Sequence, residues 1–318
     1  MNTPIAIIIN FDSINENLGF PPDYRDKSYF EVFDRFLKFS DEYNFKYSIY
    51  IIGKDLENPE ISARVKEWSK MGHEIGNHSY THCLNIGGLK DTKLRYEILK
   101  SHEVIHTCTG IEPKGFICPG WATSKRVLEV LIENNYLYDT SLFPSPIMYL
   151  AIAKNAINHI VRPNKFKEII SRKDYLFPFT KPIVPFFSDK YFNETSHLNN
   201  EKIVIFPLPT LRRFSFSMWH TLFFVFSQKK VFKDISEFLD QYNYFYYLFH
   251  PADLMEKNDL GPNIKHTFER MNIDLKTKES LVRGVFEMFH KSKRPIITVE
   301  EMVLNFINKK TMEELPII

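Results

Sequence analysis

Glycine is scarce, at 11 of 318 residues, and no Gly-rich phosphate loop or flexible linker stands out. Cysteine is scarcer still. Cys83, Cys108 and Cys118 are odd in number, and their spacing matches no Cys-rich zinc module, so reduced thiols are the expectation. An excess of one charge is also missing. The 41 Lys and Arg against 39 Asp and Glu leave a net +2, which excludes a strongly basic nucleic-acid binder and an acidic solvating tail. Long apolar runs are lacking too. The first, Ile5–Ile9, follows no basic region and is too short for a signal peptide. The uncharged aromatic stretch from Phe214 to Gln228 falls short of the ~18–20 apolar residues that cross a bilayer. The expectation is a cytoplasmic protein, with membrane contact, if any, peripheral and at the inner face.

What is abundant is aromatic side chain, 29 Phe and 16 Tyr, enough for both a core and part of a binding face. A 44% hydrophobic and 25% charged composition is that of an ordinary globular chain. Its length equals about two average domains or one large barrel with insertions. Strand-like runs at 5–9, 47–52, 203–206, 244–249 and 296–298 alternate with helical patterns. The helical patterns cover about 29–43, 59–71, 92–108, 124–134, 278–290 and 299–307, the last opened by a Thr298/Glu301 capping box. Such alternation predicts an α/β fold with a parallel sheet or barrel. Residues 144–200 break the rhythm with six prolines between Pro144 and Pro185. They are expected to form an insertion on one face of a single domain.

The chemistry concentrates in G-H-E-I-G-N-H-S-Y-T-H-C, Gly72–Cys83. His78 and His82 stand four apart, the spacing of one side of a helical turn, and suit two imidazoles on one zinc-like ion. A short strand ahead of them would put both at the C-terminal end of a barrel strand, where barrel active sites lie. Asp12 ends the first strand and would add a carboxylate. Two His and one carboxylate leave a coordination position open for catalysis. Taken singly, each residue has a bland reading as helix surface or cap.

The order of motifs resembles the polysaccharide deacetylase (NodB-homology) family of carbohydrate esterases. Phe11-Asp12 is similar to its first motif and Asn77–His82 to its H-S/T-x-x-H metal motif. Gly115–Trp121 is similar to its third, Tyr138–Ser141 to its D-S-S segment, and Leu248–Pro251 to its late L-H motif. The resemblance implies a distorted parallel barrel of the (β/α)7 type with the Pro-rich insertion. It implies a divalent metal, most simply Zn2+, on Asp12, His78 and His82. It implies removal of an N-acyl group, usually N-acetyl, from an amino sugar in a polysaccharide or lipid-linked glycan. His250 would protonate the leaving amine, and a backbone N–H near Gly120 and Trp121 would hold the oxyanion.

Two departures are linked. Where relatives carry Asp-x-Asp, this chain has Asn10-x-Asp12, so Asn10 stands in the base position with an amide that cannot take a proton. If instead the adjacent register applies, Asp12 is the base and Ser13 replaces a ligand. The Arg that orients the base is replaced by Ile117 or Cys118, and an Arg without its partner would be a costly unpaired charge. Three outcomes follow: a slow enzyme, a base drawn from Glu74 or Asp139, or a sugar-binding pseudoenzyme. A competing motif, His102-Glu103-x-x-His106, fits a zinc protease but lacks the extended pattern at Thr109 and Glu112. Residues 147–161 and 214–226, with Arg162, Lys165, Lys167, Arg212, Arg213, Lys229 and Lys230 nearby, form either core helices of the insertion or a lipid-facing rim. The rim would suit a lipid-linked or nucleotide-linked acylamino sugar.

Overall fold

The computed structural model describes residues 3–12, 14, 20, 24–158, 160–161, 163–170, 182–211, 216–261 and 269–313. Strand β1 (Ile5–Asn10) leads to helix α1 (Glu31–Tyr43), β2 (Ser48–Ile51), α2 (Pro59–Lys70), β3 (Glu74–Asn77) and α3 (Asp91–Thr109). Then come β4 (Gly115–Phe116), α4 (Lys125–Glu133), β5 (Tyr138–Asp139), α5 (Ile147–Asn158) and α6 (Pro163–Ile170). Four short strands follow: β6 (Phe186–Ser188), β7 (Glu194–Thr195), β8 (Ile203–Ile205) and β9 (Thr210–Leu211). The chain ends with β10 (Phe216–Ser217), α7 (Gln228–Gln241), β11 (Phe245–Phe249), α8 (Leu275–Lys291), β12 (Ile296–Ile297) and α9 (Val299–Glu313).

Seven strands run parallel in the order β11-β1-β2-β3-β4-β5-β8, and β12 lies along β1 ahead of β2. Both faces of these strands are covered, as parallel sheets require. Alternation sorts the side chains. Ile5, Ile7 and Ile9 pack outward with the α1, α2 and α8 residues Phe33, Trp68 and Phe286. Ala6 and Ile8 face an inner cluster with Tyr50, Tyr138, Val204, Tyr246 and Leu248. The inner face curls on itself. Tyr50 on β2 donates to or accepts from Tyr138 on β5 at 2.9 Å, and Tyr246 on β11 reaches the Thr140 carbonyl at 3.5 Å. Among the described residues no ladder joins β11 to the far end, so the sheet is strongly curled and parallel without a recorded closing pair.

Helix α9 seals the lower end of this curl. Its capping box forms as expected, with Thr298 N donating to Glu301 Oε2 at 2.8 Å. Phe306 packs against Phe187, Phe206 and Tyr244. The Pro-rich region, expected as an insertion on one face, divides in two. Its α5–α6 part is helical, whereas β6 and β7 extend the sheet beyond β8 in antiparallel register. Residues 171–181 and 212–215 of the sequence expectations lie outside the described residues.

The inner face is crowded where Tyr50 and Tyr138 meet, and two glycines make room. A Cβ on Gly115 would overlap the Tyr138 ring, and one on Gly76 the Tyr50 ring. Gly115→Ala is therefore expected to cost about 1–3 kcal/mol by overpacking. Urea denaturation reads it directly, and an unchanged midpoint would refute the close approach.

Candidate metal centre

Each candidate side chain is delivered by a strand end. Phe11 follows β1 and is clamped outward, stacked on Tyr29 at 4.5 Å between ring centres and close to Trp68. This anchoring leaves Asp12 over the mouth of the curl, with a side chain 39% exposed. His78 follows β3 and is fully buried. His250 follows β11 and is also buried. All three lie at the C-terminal ends of parallel strands, the end that carries chemistry in barrel folds.

The ligand atoms of Asp12, His78 and His82 all lie within 4.8 Å of one another. Asp12 Oδ1 is 3.0 Å from His82 Nε2 and 3.6 Å from His78 Nε2. His78 donates Nδ1–H to the Ile117 carbonyl at 2.8 Å, which fixes its tautomer and turns the Nε2 lone pair toward Asp12. That Nε2 is buried with no hydrogen-bond partner among the described residues. Burial lowers the His78 pKa, favouring the neutral imidazole a metal needs. Burial also pushes the Asp12 carboxyl upward, but His250, His78 and His82 outweigh it and hold it well below the usual range. Two imidazole nitrogens and an ionised carboxylate, with the buried His78 Nε2 lone pair unsatisfied, fit a divalent cation.

The histidines reach this arrangement differently from the expected helical turn. Residues 78–82 form an irregular loop in which Ser79 and His82 have φ of 64° and 58°. The loop is held from below. Asn77 accepts from Ser79 N at 2.9 Å and donates to the Ile98 carbonyl and Tyr136 Oη. Glu97, on α3, accepts from the amides of Tyr80 and Thr81 and from the Thr81 hydroxyl. Neither Asn77 nor Glu97 was singled out from the sequence as functional. Asn77 adjoined the motif, but Glu97 lies 16 residues from Thr81 and gave no local signal.

His250 Nε2 stands 3.6 Å from Asp12 Oδ2. Its amide donates to Asp253 Oδ2 at 2.8 Å, and Asp253, fully buried, is paired with Arg270 at 3.1 Å and with the Thr221 hydroxyl. Burial raises the Asp253 carboxyl, yet Arg270 and the histidines leave it net lowered. Burial likewise lowers the His250 pKa despite Asp12 and Asp253. Asp253 and Arg270 were also missed, because an Asp three residues after a His and an Arg 17 further on carry no pattern.

The other sequence candidates divide. Asn10 ends β1 on the inner face, buried, with Oδ1 unpartnered among the described residues. Asp139 ends β5, but its register partners Phe116 and Ile205 belong to the outer layer. Its carboxyl accepts from Ser141 N and Oγ, and burial raises it to about 7. Asp139 is thus turned from the metal ligands. Glu74 opens β3, four residues or ~13 Å along the strand from His78, and is bound at the lower end by Ser48, Tyr138 and the Glu300 amide. It cannot serve as base. Gly120 and Trp121 both take positive φ, 56° and 57°. The Trp121 amide is already donated to the Cys118 carbonyl at 2.9 Å, while its indole N–H is buried without a partner among the described residues. On α3, His102 is bonded to Tyr136 Oη at 3.0 Å, Glu103 pairs with Lys100, and His106 is exposed. Among the described residues no third ligand joins that pair, so the protease arrangement does not form. Among the described residues of the stretch 214–226, Met218, His220, Leu222 and Phe223 are core, and only Val225 and Phe226 are exposed.

A curled parallel sheet with a His-His-Asp cluster at its C-terminal mouth defines the general class of α/β proteins with an open metal centre. Residues 7–138 match the family model for polysaccharide deacetylases. It is 32% identical over 108 residues to a peptidoglycan deacetylase of Helicobacter pylori, covering 34% of this chain and 36% of that one. It is 29% identical over 97 residues to a peptidoglycan-N-acetylglucosamine deacetylase of Bacillus cereus, covering 30% and 34%. The matches thus span about a third of these curated relatives. A crystal structure from Mycobacterium smegmatis that carries a polysaccharide deacetylase designation shares the fold. Its TM-score is 0.60, with 14% identity and coverage of 97% of this chain and 92% of that one.

Glu97 offers a test of the centre that does not touch the ligands. Glu97→Ala frees the 80–82 loop and is expected to weaken divalent-metal binding about 10–100-fold, the usual worth of supporting bonds behind a ligand. Titration of the metal-stripped protein with Zn2+ or Co2+ measures it. An affinity equal to that of the parent would detach Glu97 from the site.

Proposed function

We propose that the chain hydrolyses the N-acetyl group of an amino sugar within a glycan, using a divalent metal, with Zn2+ the best chemical match. The observation that carries this reading is the convergence of Asp12, His78 and His82, with the buried His78 Nε2 left unsatisfied. The names of the Helicobacter pylori and Bacillus cereus relatives support a peptidoglycan-like glycan and N-acetylglucosamine as the sugar.

A bound divalent ion would polarise the amide carbonyl and acidify water, the two things an unreactive amide needs. The protein's own groups do the rest. Asn10 Oδ1 accepts a hydrogen bond from the attacking water and orients it, but cannot remove its proton. His250 is the group placed for proton transfer, with Nε2 3.6 Å from Asp12 Oδ2 and its backbone held by Asp253. It takes the proton as the water oxygen bonds to the carbonyl carbon. It returns the proton to nitrogen as the C–N bond breaks, giving acetate and the free amine. The Trp121 indole N–H has no partner among the described residues and suits the developing oxyanion in place of the Trp121 backbone amide, beside the Gly120 amide.

A second reading has a specific observation behind it. With Asn10 at the base position and Ile117 and Cys118 where an Arg would stand, the same site would bind an acetylated sugar without turning it over.

Amine release from N-acetylglucosamine oligomers by the Zn2+-loaded protein separates the two. Turnover that chelation abolishes is expected, with His250→Ala at least about 10²-fold slower. Asn10→Asp supplies the carboxylate and is expected to raise kcat by about 10²–10⁴. If parent and Asn10→Asp proteins both bind metal and neither releases amine, the hydrolase reading falls.

A further inference from the structure

The α5–α6 hairpin departs from the rest of the surface. One stripe of α5, Met148, Ile152 and Ala156, spaced four apart, turns inward. Met148 and Ile152 join the inner cluster that also holds Phe143, Trp121 and Trp219. A second apolar stripe turns out to solvent, a pattern that globular surface helices avoid. Leu150, Ile157, Ile160, Val161 and Ile170 are between 53% and 82% exposed, on a segment of 24 residues. Elsewhere among the described residues exposed large apolar side chains are scattered singly or in pairs. A contiguous patch of this kind marks an interaction surface.

Charge decides which. From Ile147 to Ile170 the sequence carries Lys154, Arg162, Lys165 and Lys167 against a single acidic residue, Glu168. A segment that joins exposed apolar side chains to a basic excess complements an interface that is apolar below and anionic above. α5 has 12 residues and α6 has 8, far below the ~20 that span a bilayer, so the hairpin can lie in the interface but not cross it. An apolar partner surface or second copy would leave the basic excess unanswered.

The geometry points to docking of the α5–α6 hairpin on an anionic lipid bilayer, with Leu150, Ile157, Ile160 and Val161 entering the headgroup–acyl boundary. Met148 at the root of the hairpin packs in the inner cluster with Phe143, Trp121 and Trp219, which ties the docked segment to the body of the fold. Docking does not depend on turnover at that centre.

The test is sedimentation of the full chain with vesicles, without glycan. Vesicles of phosphatidylcholine with 30 mol%, roughly the anionic share of an acidic membrane, of phosphatidylglycerol are compared with phosphatidylcholine alone. Binding to the anionic vesicles is expected, at least about 10-fold weaker on neutral ones and in 0.5 M salt, on the order of a few Debye lengths' loss of range. The double variant Leu150→Asp, Val161→Asp should lose binding at least about 10-fold while keeping its circular dichroism and metal affinity. Absence of binding by the parent at low salt overturns the proposal. So does equal binding by parent and variant, equal binding to both vesicle types, or a dimer that the variant abolishes in a parent that binds no vesicle.

Discussion

The site rests on one constraint: two imidazole nitrogens and a carboxylate must be pointed at a common place. Left alone, such groups would pair with one another or turn to water. Here His82 Nε2 does meet Asp12 Oδ1 at 3.0 Å, but the fold withholds both escapes from His78, whose Nε2 stays 3.6 Å from that oxygen. His78 is buried and its other nitrogen is spent on the Ile117 carbonyl, so Nε2 cannot rotate away. His82 is carried on a loop whose left-handed residues are held by Asn77 and Glu97 rather than by helix geometry. Asp12 is steered by its neighbour, because Phe11 is locked among Tyr29, Phe33 and Trp68. A buried unpaired polar atom costs on the order of 1–3 kcal/mol, and aromatic packing at the strand end helps offset it.

The opposite wall solves a different electrostatic problem. With Asn10, Ile117 and Cys118 at the mouth, neither a carboxylate nor an Arg stands at these positions, so no charge there is left without a partner. The chain nevertheless keeps a buried carboxylate–guanidinium pair near the site, Asp253 with Arg270. It sits behind His250, holding the amide that starts the 251–254 turn. Ionic support therefore goes to the turn that begins at His250, while the inner end of β1 carries a neutral amide, Asn10. This distribution is consistent with proton transfer centred on one imidazole.

Much of the fold was legible because parallel strands covered on both faces read as short apolar runs, and their order with the helices left few topologies. The strands at 5–10, 245–249 and 203–205 and the helices α1, α2, α3 and α9 stand within a few residues of where periodicity put them. The ligands were legible as a set because their spacing carries a meaning independent of conformation. The conformation itself was not: four-residue spacing suggested a helical turn, and a loop with positive φ delivers the same pair. Glu74 and Asp139 were chosen for their chemistry, and orientation decided against both. Strand alternation held that information in part, since Tyr138 facing inward turns Asp139 outward. Glu97, Asp253 and Arg270 were invisible because their meaning lies in contacts between distant segments. The aromatic excess went largely into the core rather than onto a binding face, with Trp121 and Trp219 as partly exposed exceptions at the mouth.

The two ends of the curl drive carboxyl groups in opposite directions. At the mouth, histidines hold Asp12 well below the usual carboxylate range. At the base, burial among Ser48, Tyr138 and the start of α9 raises Glu74 from 4.5 to about 7. The signs of linkage follow. Glu74 favours the folded state most when protonated, below its unfolded value, and that support is lost as pH rises through about 7. Asp12 favours the folded state when ionised, above its unfolded value, and that support is lost as pH falls through its lowered value. An ionised ligand at the top and a protonated, hydrogen-bonded acid under the sealing helix are compatible only between those limits. Placing them at opposite ends of the curl, on β1 and β3, lets both states coexist, because each is set by its own surroundings rather than by the other.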